Sequence, residues 1–347
     1  MKTFSIGKNK IGDNNPVFII AEAGSNHNRD LHQAKKLIEI AAEAEADAVK
    51  FQTYSAETLY SKKTVTPDYL DGKMGQESVW QMIKDIELPR EWQGELADYS
   101  RSHDLIFLST PFDYEAIKEL EKLEILAYKI ASFEIVDLPF LQELAKTKKP
   151  IIQSTGMASL GDIEAAIKSI REVNDVGIGL LHCAINYPPP FSDLNLRAIP
   201  TLKQAFQVPI GYSDHTMSIS IPSVCVALGA NIIEKHFTLD RNLKGPDHKF
   251  ALEPTELKQM IIHVRNTEEA LGSSEKVMPL SEKNLYKLAR RSLIANRFIP
   301  KGKVIEREDI IIKRPGYGIE PKFLNLIIGR ETKEDIEEDD IITWNLI

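Results

Sequence analysis

The run NIIEKH, residues 231–236, carries the apolar Ile232 and Ile233 and closes on Glu234, Lys235 and His236. In an extended strand successive side chains face opposite ways, so Glu234 and His236 share one face and Lys235 takes the other. Upstream, further runs have the same design: VFIIAE from Val17, DAVKFQ from Asp47, LIFLST from Leu105, ILAYKI from Ile125, PIIQST from Pro150, GIGLLH from Gly177 and VPIGYS from Val208. Most are followed by amphipathic helical spacing. Between the first two, Asp30 stands as an N-cap ahead of Leu31, Ala34, Leu37, Ile38, Ala41 and Ala42. Strands alternating with helices imply a parallel sheet, and eight such runs close a (β/α)8 barrel of the TIM type.

Outward from these runs, the polar stretch from Thr53 to Gly75 reads as a long loop over the barrel's active face. Pro254 to Leu271 gives a last helical pattern, GSSEKVMPLSEKN reads as a linker, and from Leu288 the chain turns into short β-like pieces with turn signals. The expected partition is a catalytic barrel at 1–272, a linker at 273–287 and a small β-rich domain at 288–347. The length of 347 residues, with 43% hydrophobic and 27% charged residues, suits an ordinary globular protein rather than a disordered one. A formal charge of −8 argues against a chain that covers nucleic acid, so any anion site is local. Cys183 and Cys225 have no metal-finger or CxxC spacing and read as reduced thiols. No apolar stretch reaches the roughly 18 residues of a membrane span, which makes the cytoplasm the expected location.

Barrel enzymes react where strands end, and these runs finish on Glu22, Lys50 with Gln52, Ser109 with Thr110, Lys129, Ser154, His182, Ser213 with Asp214 and His215, and Glu234 with His236. Two lysines in a barrel mouth are costly without a counter-charge. With serines and threonines nearby they suggest a phosphate or carboxylate, although a Lys–Glu pair is the structural alternative. His215 and His236 come from neighbouring strands, close enough to share one ion. Two imidazoles with open positions suit an exchangeable Mn or Mg ion better than a structural zinc. Tyr187 precedes Pro188, Pro189 and Pro190 in a stiff loop that reads either as a pocket wall or as a plain turn. Asp247 and His248 lie in a Gly-Pro turn that by itself says little.

Together NHN at Asn26, VKFQT at Val49, STPFD at Ser109, YKIAS at Tyr128, STGM at Ser154, YSDHT at Tyr212 and EKHFTLD at Glu234 resemble the sialic acid synthases. KRPG at Lys313 lies in a terminal segment similar to type III antifreeze protein, the SAF domain, so the resemblance spans nearly the whole chain. It implies condensation of phosphoenolpyruvate with an N-acetylated amino sugar, N-acetylmannosamine or a related 2,4-diacetamido hexose, in a domain-swapped homodimer. By the same resemblance His215 and His236 hold a divalent metal, Mn first with Mg or Co as alternatives, and Lys50, Thr110, Lys129, Ser132, Ser154 and Ser213 bind phosphoenolpyruvate. Gln52, Tyr187 and Asp247 then hold the sugar, Arg314 reaches it from the partner subunit, and Glu22 lies in the same pocket. Glu234, placed beside His236 by strand alternation, is the candidate base.

Ile185 departs from the pattern, standing where many relatives carry a polar Asn, Ser or Thr. YKIASFE is closer to pseudaminic acid and spore-coat relatives, GPDHK to bacterial sialic and legionaminic acid synthases. Two rival readings are weaker. A condensation with a phosphorylated aldose needs a second basic cluster, which the barrel motifs lack. A non-catalytic carbohydrate- or ice-binding module sits badly with Arg290, Arg291, Lys301, Lys303, Arg307, Lys313 and Arg314 in the terminal segment.

Overall fold

The computed structural model describes residues 3–64 and 79–347, which fall into two compact units, Met1–Gly272 and Ser273–Ile347. The first unit starts with a hairpin, β1 (Phe4–Ile6) and β2 (Asn9–Ile11). Eight parallel strands follow: β3 (Phe18–Glu22), β4 (Ala48–Thr53), β5 (Ile106–Pro111), β6 (Tyr128–Ile130), β7 (Ile151–Ser154), β8 (Ile178–Cys183), β9 (Ile210–Asp214) and β10 (Ile232–His236). Each overlaps one of the eight expected runs, and β4, β5, β8 and β9 continue one residue beyond it. Their hydrogen-bonded order is β5-β4-β3-β10-β9-β8-β7-β6, and β5 packs beside β6 to close the barrel.

The helices of this unit are α1 (Leu31–Glu43), α2 (Ala56–Leu59), α3 (Val79–Ile86), α4 (Gln93–Ser102), α5 (Tyr114–Lys122), α6 (Leu138–Lys146), α7 (Leu160–Val173), α8 (Ala198–Phe206), α9 (Ile221–Ala227) and α10 (Pro254–Leu271). Asp30 caps α1 as expected, its carboxylate accepting from Gln33 N at 3.0 Å. Of the polar loop expected from Thr53 to Gly75, α2 is formed and residues 65–75 lie outside the described residues. No described helix is long and apolar enough to cross a membrane.

Strand alternation sorts the side chains into two cores. Phe18, Ile20, Ala48, Leu108, Ile152, Leu181 and Ile232 fill the barrel, while Ile19, Val49, Phe51, Ile233 and their neighbours face the helices. The hairpin plugs the barrel's N-terminal end with Ile6 and Ile11, a feature the short polar segment did not advertise. Its seat is legible only afterwards: a Cβ on Gly177 would meet Phe4 Cβ at 2.4 Å, and one on Gly179 would meet Ile232 Cδ1 at 3.0 Å. Above the apolar layers the same inward positions become Glu22, Lys50, Glu234 and His236.

The second unit pairs β11 (Ser292–Ala295) with β12 (Ile310–Lys313) around Leu293, Ile299, Ile305, Ile319, Ile336 and Ile342. Buried Asp309 braces it, its carboxylate taking Lys303 Nζ at 2.6 and 2.8 Å and Arg297 Nε at 2.6 Å. Such a small core gains from a buried ionic brace only because both lone-pair sets are satisfied. The chain divides after Gly272, and the end of the segment read as a linker at 273–287 is helical. KNLYKLA, rich in helix-favouring Leu, Lys and Ala, forms α11 (Lys283–Ala289), and α12 (Leu324–Ile327) lies further on.

Candidate active site

At the C-terminal ends of the strands, twelve of the expected residues line one cavity: Glu22, Lys50, Gln52, Thr110, Lys129, Ser132, Ser154, Tyr187, Ser213, His215, Glu234 and His236. Phe112, Ala131, Phe133, Cys183 and Ile185 complete its wall. Apart from Ile185 these were not singled out, because apolar and small residues at strand ends carry no signal beyond packing. Alternation removes the remaining polar ends from the cavity. Ser109 bonds Thr53 Oγ1 at 2.7 Å, His182 Nε2 bonds Leu194 O at 2.8 Å, and Lys235 turns outward to Asp214 Oδ2 at 2.6 Å.

A charge lattice crosses the cavity floor. Lys50 Nζ is 2.7 Å from Glu22 Oε2 and 3.9 Å from Glu234 Oε2, and it donates to Thr110 Oγ1 at 3.1 Å. Lys129 Nζ is 3.4 Å from Glu234 Oε1, which also accepts from Ser213 Oγ at 2.8 Å. Gln52 Nε2 donates to Glu22 Oε1 at 2.9 Å. The structural Lys–Glu pairing is thus present, and it leaves donors to spare. Lys129 has a single ion-pair partner among the described residues, and the buried Ser154 hydroxyl has no hydrogen-bond partner there. Ser132 Oγ accepts from Gly156 N at 2.9 Å and lies 3.2 Å from Cys183 Sγ.

The two carboxylates of the lattice differ. Burial pushes Glu22 up to about 7 even with Lys50 beside it. Burial acts on Glu234 too, but Lys129, Lys50 and the Ser213 hydrogen bond work against it, and the carboxyl is held below its ordinary range. Burial lowers the Lys129 ammonium, an effect that Glu234 only partly offsets. One ionised carboxylate, one that exchanges its proton near neutrality and two lysines leave the floor with room for negative charge.

His215 and His236 face each other with ring centroids 5.4 Å apart. His215 Nδ1 donates to Ala184 O at 2.7 Å, which leaves Nε2 as the lone-pair nitrogen. Buried His236 Nδ1 has no hydrogen-bond partner among the described residues. Burial pushes His215 down to about 4 and His236 further below its usual value, so both rings are neutral and competent to ligate. No cluster of three or more His, Cys, Asp or Glu side chains among the described residues is arranged as a metal cage. The two neutral imidazoles offer a divalent ion a pair of nitrogen donors.

Tyr187 lies against this pair, its ring centroid 4.2 Å from that of His215 and tilted by 34°, and it lines the cavity as a pocket wall would. Asp247 lies near His236, its Oδ2 4.0 Å from Nδ1, and burial pushes its carboxyl up to about 6. Gly24 makes this convergence feasible: at φ +52°, a Cβ there would lie 3.0 Å from Asp247 Oδ2 and 3.4 Å from both Glu22 Oε1 and His236 Cε1. Ile185 packs onto Gly156, where a Cβ would meet its Cδ1 at 2.2 Å. Arg314 belongs to the second unit, directly after β12 and before a cis bond to Pro315, so the barrel's own geometry does not position it.

Comparison with known proteins converges on one family. The NeuB family model matches residues 37–276 and the SAF domain model residues 290–347. N,N'-diacetyllegionaminic acid synthase of Campylobacter jejuni is 44% identical over 329 residues, 94% of this chain and 98% of that protein. Spore coat polysaccharide biosynthesis protein SpsE of Bacillus subtilis is 39% identical over 365 residues, covering 99% and 97%. The crystal structure of N-acetylneuraminic acid synthetase from Leptospira borgpetersenii in complex with citrate aligns with a TM-score of 0.74 at 36% identity, covering 82% of this chain and 95% of that one.

Proposed function

The chain belongs to the NeuB family, and we propose that it condenses phosphoenolpyruvate with the open-chain form of an N-acetylated amino sugar to give a nonulosonic acid and phosphate. It is a condensing synthase, as its relatives are named. The phosphoenolpyruvate half is supported by one observation above the rest: the buried, under-partnered Lys129 ammonium shares a cavity with the unpartnered Ser154 hydroxyl. Buried donors with capacity to spare are the complement of a compact anion, and phosphoenolpyruvate offers both a carboxylate and a phosphate. Lys50, Thr110, Lys129, Ser132, Ser154 and Ser213 form this half of the site. Gln52, Tyr187 and Asp247, with Arg314 of a second copy, form the half for N-acetylmannosamine or a 2,4-diacetamido hexose.

In the reaction the double-bond electrons of phosphoenolpyruvate join its methylene carbon to the sugar's aldehyde carbon. Water adds to the cationic carbon left behind, the bond from that carbon to the phosphate oxygen breaks, and a ketone results. Glu234, ionised and fixed by Ser213, takes the proton of the attacking water. Glu22, with its raised carboxyl and its bond from Gln52, holds a proton for the aldehyde oxygen. Lys50 and Lys129 balance the negative charge of the anion and of the departing phosphate. When bound at His215 and His236, a divalent ion, Mn first with Mg or Co as alternatives, supplies Lewis-acid polarisation of the aldehyde.

Phosphate release from phosphoenolpyruvate, assayed against a sugar panel, tests this reading. Release is expected with acetamido sugars, lost on chelation and restored by Mn, and absent with arabinose 5-phosphate or erythrose 4-phosphate. Release with a phosphorylated aldose, or a silent panel, contradicts it.

A further inference from the structure

One buried cluster beside the site has no part in the chemistry just described. His248 follows Asp247 in the loop between β10 and α10, and its side chain is fully buried. Both ring nitrogens are engaged by different parts of the barrel mouth. Nδ1 is 2.6 Å from Thr238 Oγ1, just beyond β10, and Nε2 is 3.0 Å from Asn28 Oδ1, in the loop that follows β3. With the Asn28 amide oxygen facing it, Nε2 carries the hydrogen and Nδ1 accepts from the Thr238 hydroxyl.

Backbone conformation is committed to this contact. Asn28 and Arg29 are consecutive left-handed residues at φ 48° and 51°, a costly arrangement for non-glycine residues. It is held by Arg29 N donating to His27 Nδ1 at 3.0 Å and Asp30 N donating to His27 O at 2.8 Å. Gly245, at φ +148°, leaves the room the ring needs, since a Cβ there would lie 2.8 Å from His248 Cδ2. Asp247 is tied to the same loop, its carboxylate accepting from Ser25 N. Two loops from adjacent strands are thereby stapled together within one residue of the carboxylate that faces His236.

We propose that His248 is a positioning residue for the sugar half of the site, a neutral imidazole staple that keeps Asp247 aimed beside His236. The sugar role rests on the functional reading above. A ring that only filled space would leave its nitrogens idle, whereas Nδ1 ties the tip of the loop back to Thr238 at its start and Nε2 bridges to Asn28 in the β3 loop. Burial pushes the ring down to about 4, so it stays neutral and keeps one donor and one acceptor over the working pH range.

The test is steady-state kinetics of His248→Ala, His248→Gln and Thr238→Val, with hydrogen exchange of residues 244–250. His248→Ala is expected to raise the sugar KM by about 10- to 100-fold, as small misplacements of a binding group do, with the phosphoenolpyruvate KM moving less than about 3-fold. His248→Gln, which retains a donor and an acceptor, recovers part of the loss. Thr238→Val shifts the sugar KM in the same sense, and exchange in 244–250 quickens in His248→Ala. Equal shifts in both KM values, an unchanged sugar KM, or no recovery with Gln in a folded variant overturns the staple. A wild-type enzyme inactive with every sugar defeats the functional reading instead, and unchanged exchange then overturns the staple separately.

Discussion

Glu234→Gln is expected to lower kcat by about 10²- to 10⁴-fold, the range for loss of a positioned general base, while phosphoenolpyruvate still binds. The substitution keeps shape and the bond from Ser213, but removes the charge that Lys129 and Lys50 hold ionised. Loss of that charge frees Lys129 for the incoming anion and leaves Lys50 paired with Glu22, so affinity for phosphoenolpyruvate should hold or improve. Rapid-quench kinetics beside equilibrium titration separates the two effects. Wild-type turnover with metal and both ligands saturating would remove Glu234 from the base role.

Lys129→Met should act on the opposite parameter. Removing one member of a buried, hydrogen-bonded charge contact costs about 2–5 kcal/mol, so kcat/KM for phosphoenolpyruvate is expected to fall roughly 10²- to 10³-fold, with the sugar KM nearly unchanged. Stability should fall modestly, because buried Glu234 then keeps only Lys50 as an ionic partner among the described residues, while the removed ammonium was itself disfavoured by burial. A large fall in melting temperature with normal phosphoenolpyruvate kinetics would instead assign Lys129 to the structural Lys–Glu pair.

The barrel was readable because its strands combine two signals, a buried apolar run and a polar end, repeated along the chain. Alternation placed Glu234 with His236 and sent Lys235 outward, as the Lys235–Asp214 pair confirms. The same rule separates Ser109 and His182 from the cavity, but it needs the register that only the sheet provides. The hairpin was not readable, since three-residue strands such as FSI and NKI are too short to show a period. Helix α11 was hidden by the polar stretch that precedes it. Asp247 and His248 lie in a turn, where spacing carries no information, and their meaning comes from partners far along the chain at Ser25 and Asn28. The amino sugar itself is not written in the barrel motifs, which suggest an anion and a pair of histidines for an ion but no sugar contact, and the apolar Ile185 and Phe133 also line the cavity.

That one barrel mouth brings phosphoenolpyruvate and an acetamido sugar into a single carbon–carbon bond-forming reaction is tested most directly with phosphoenolpyruvate carrying 18O at its bridging oxygen. Quenched single turnovers with Mn, with and without the sugar, are analysed for label in inorganic phosphate and in the acid product. Label is expected in the phosphate, at one equivalent per nonulosonic acid formed, and only when the sugar is present. Phosphate released without sugar, or label kept in the organic product, would contradict it.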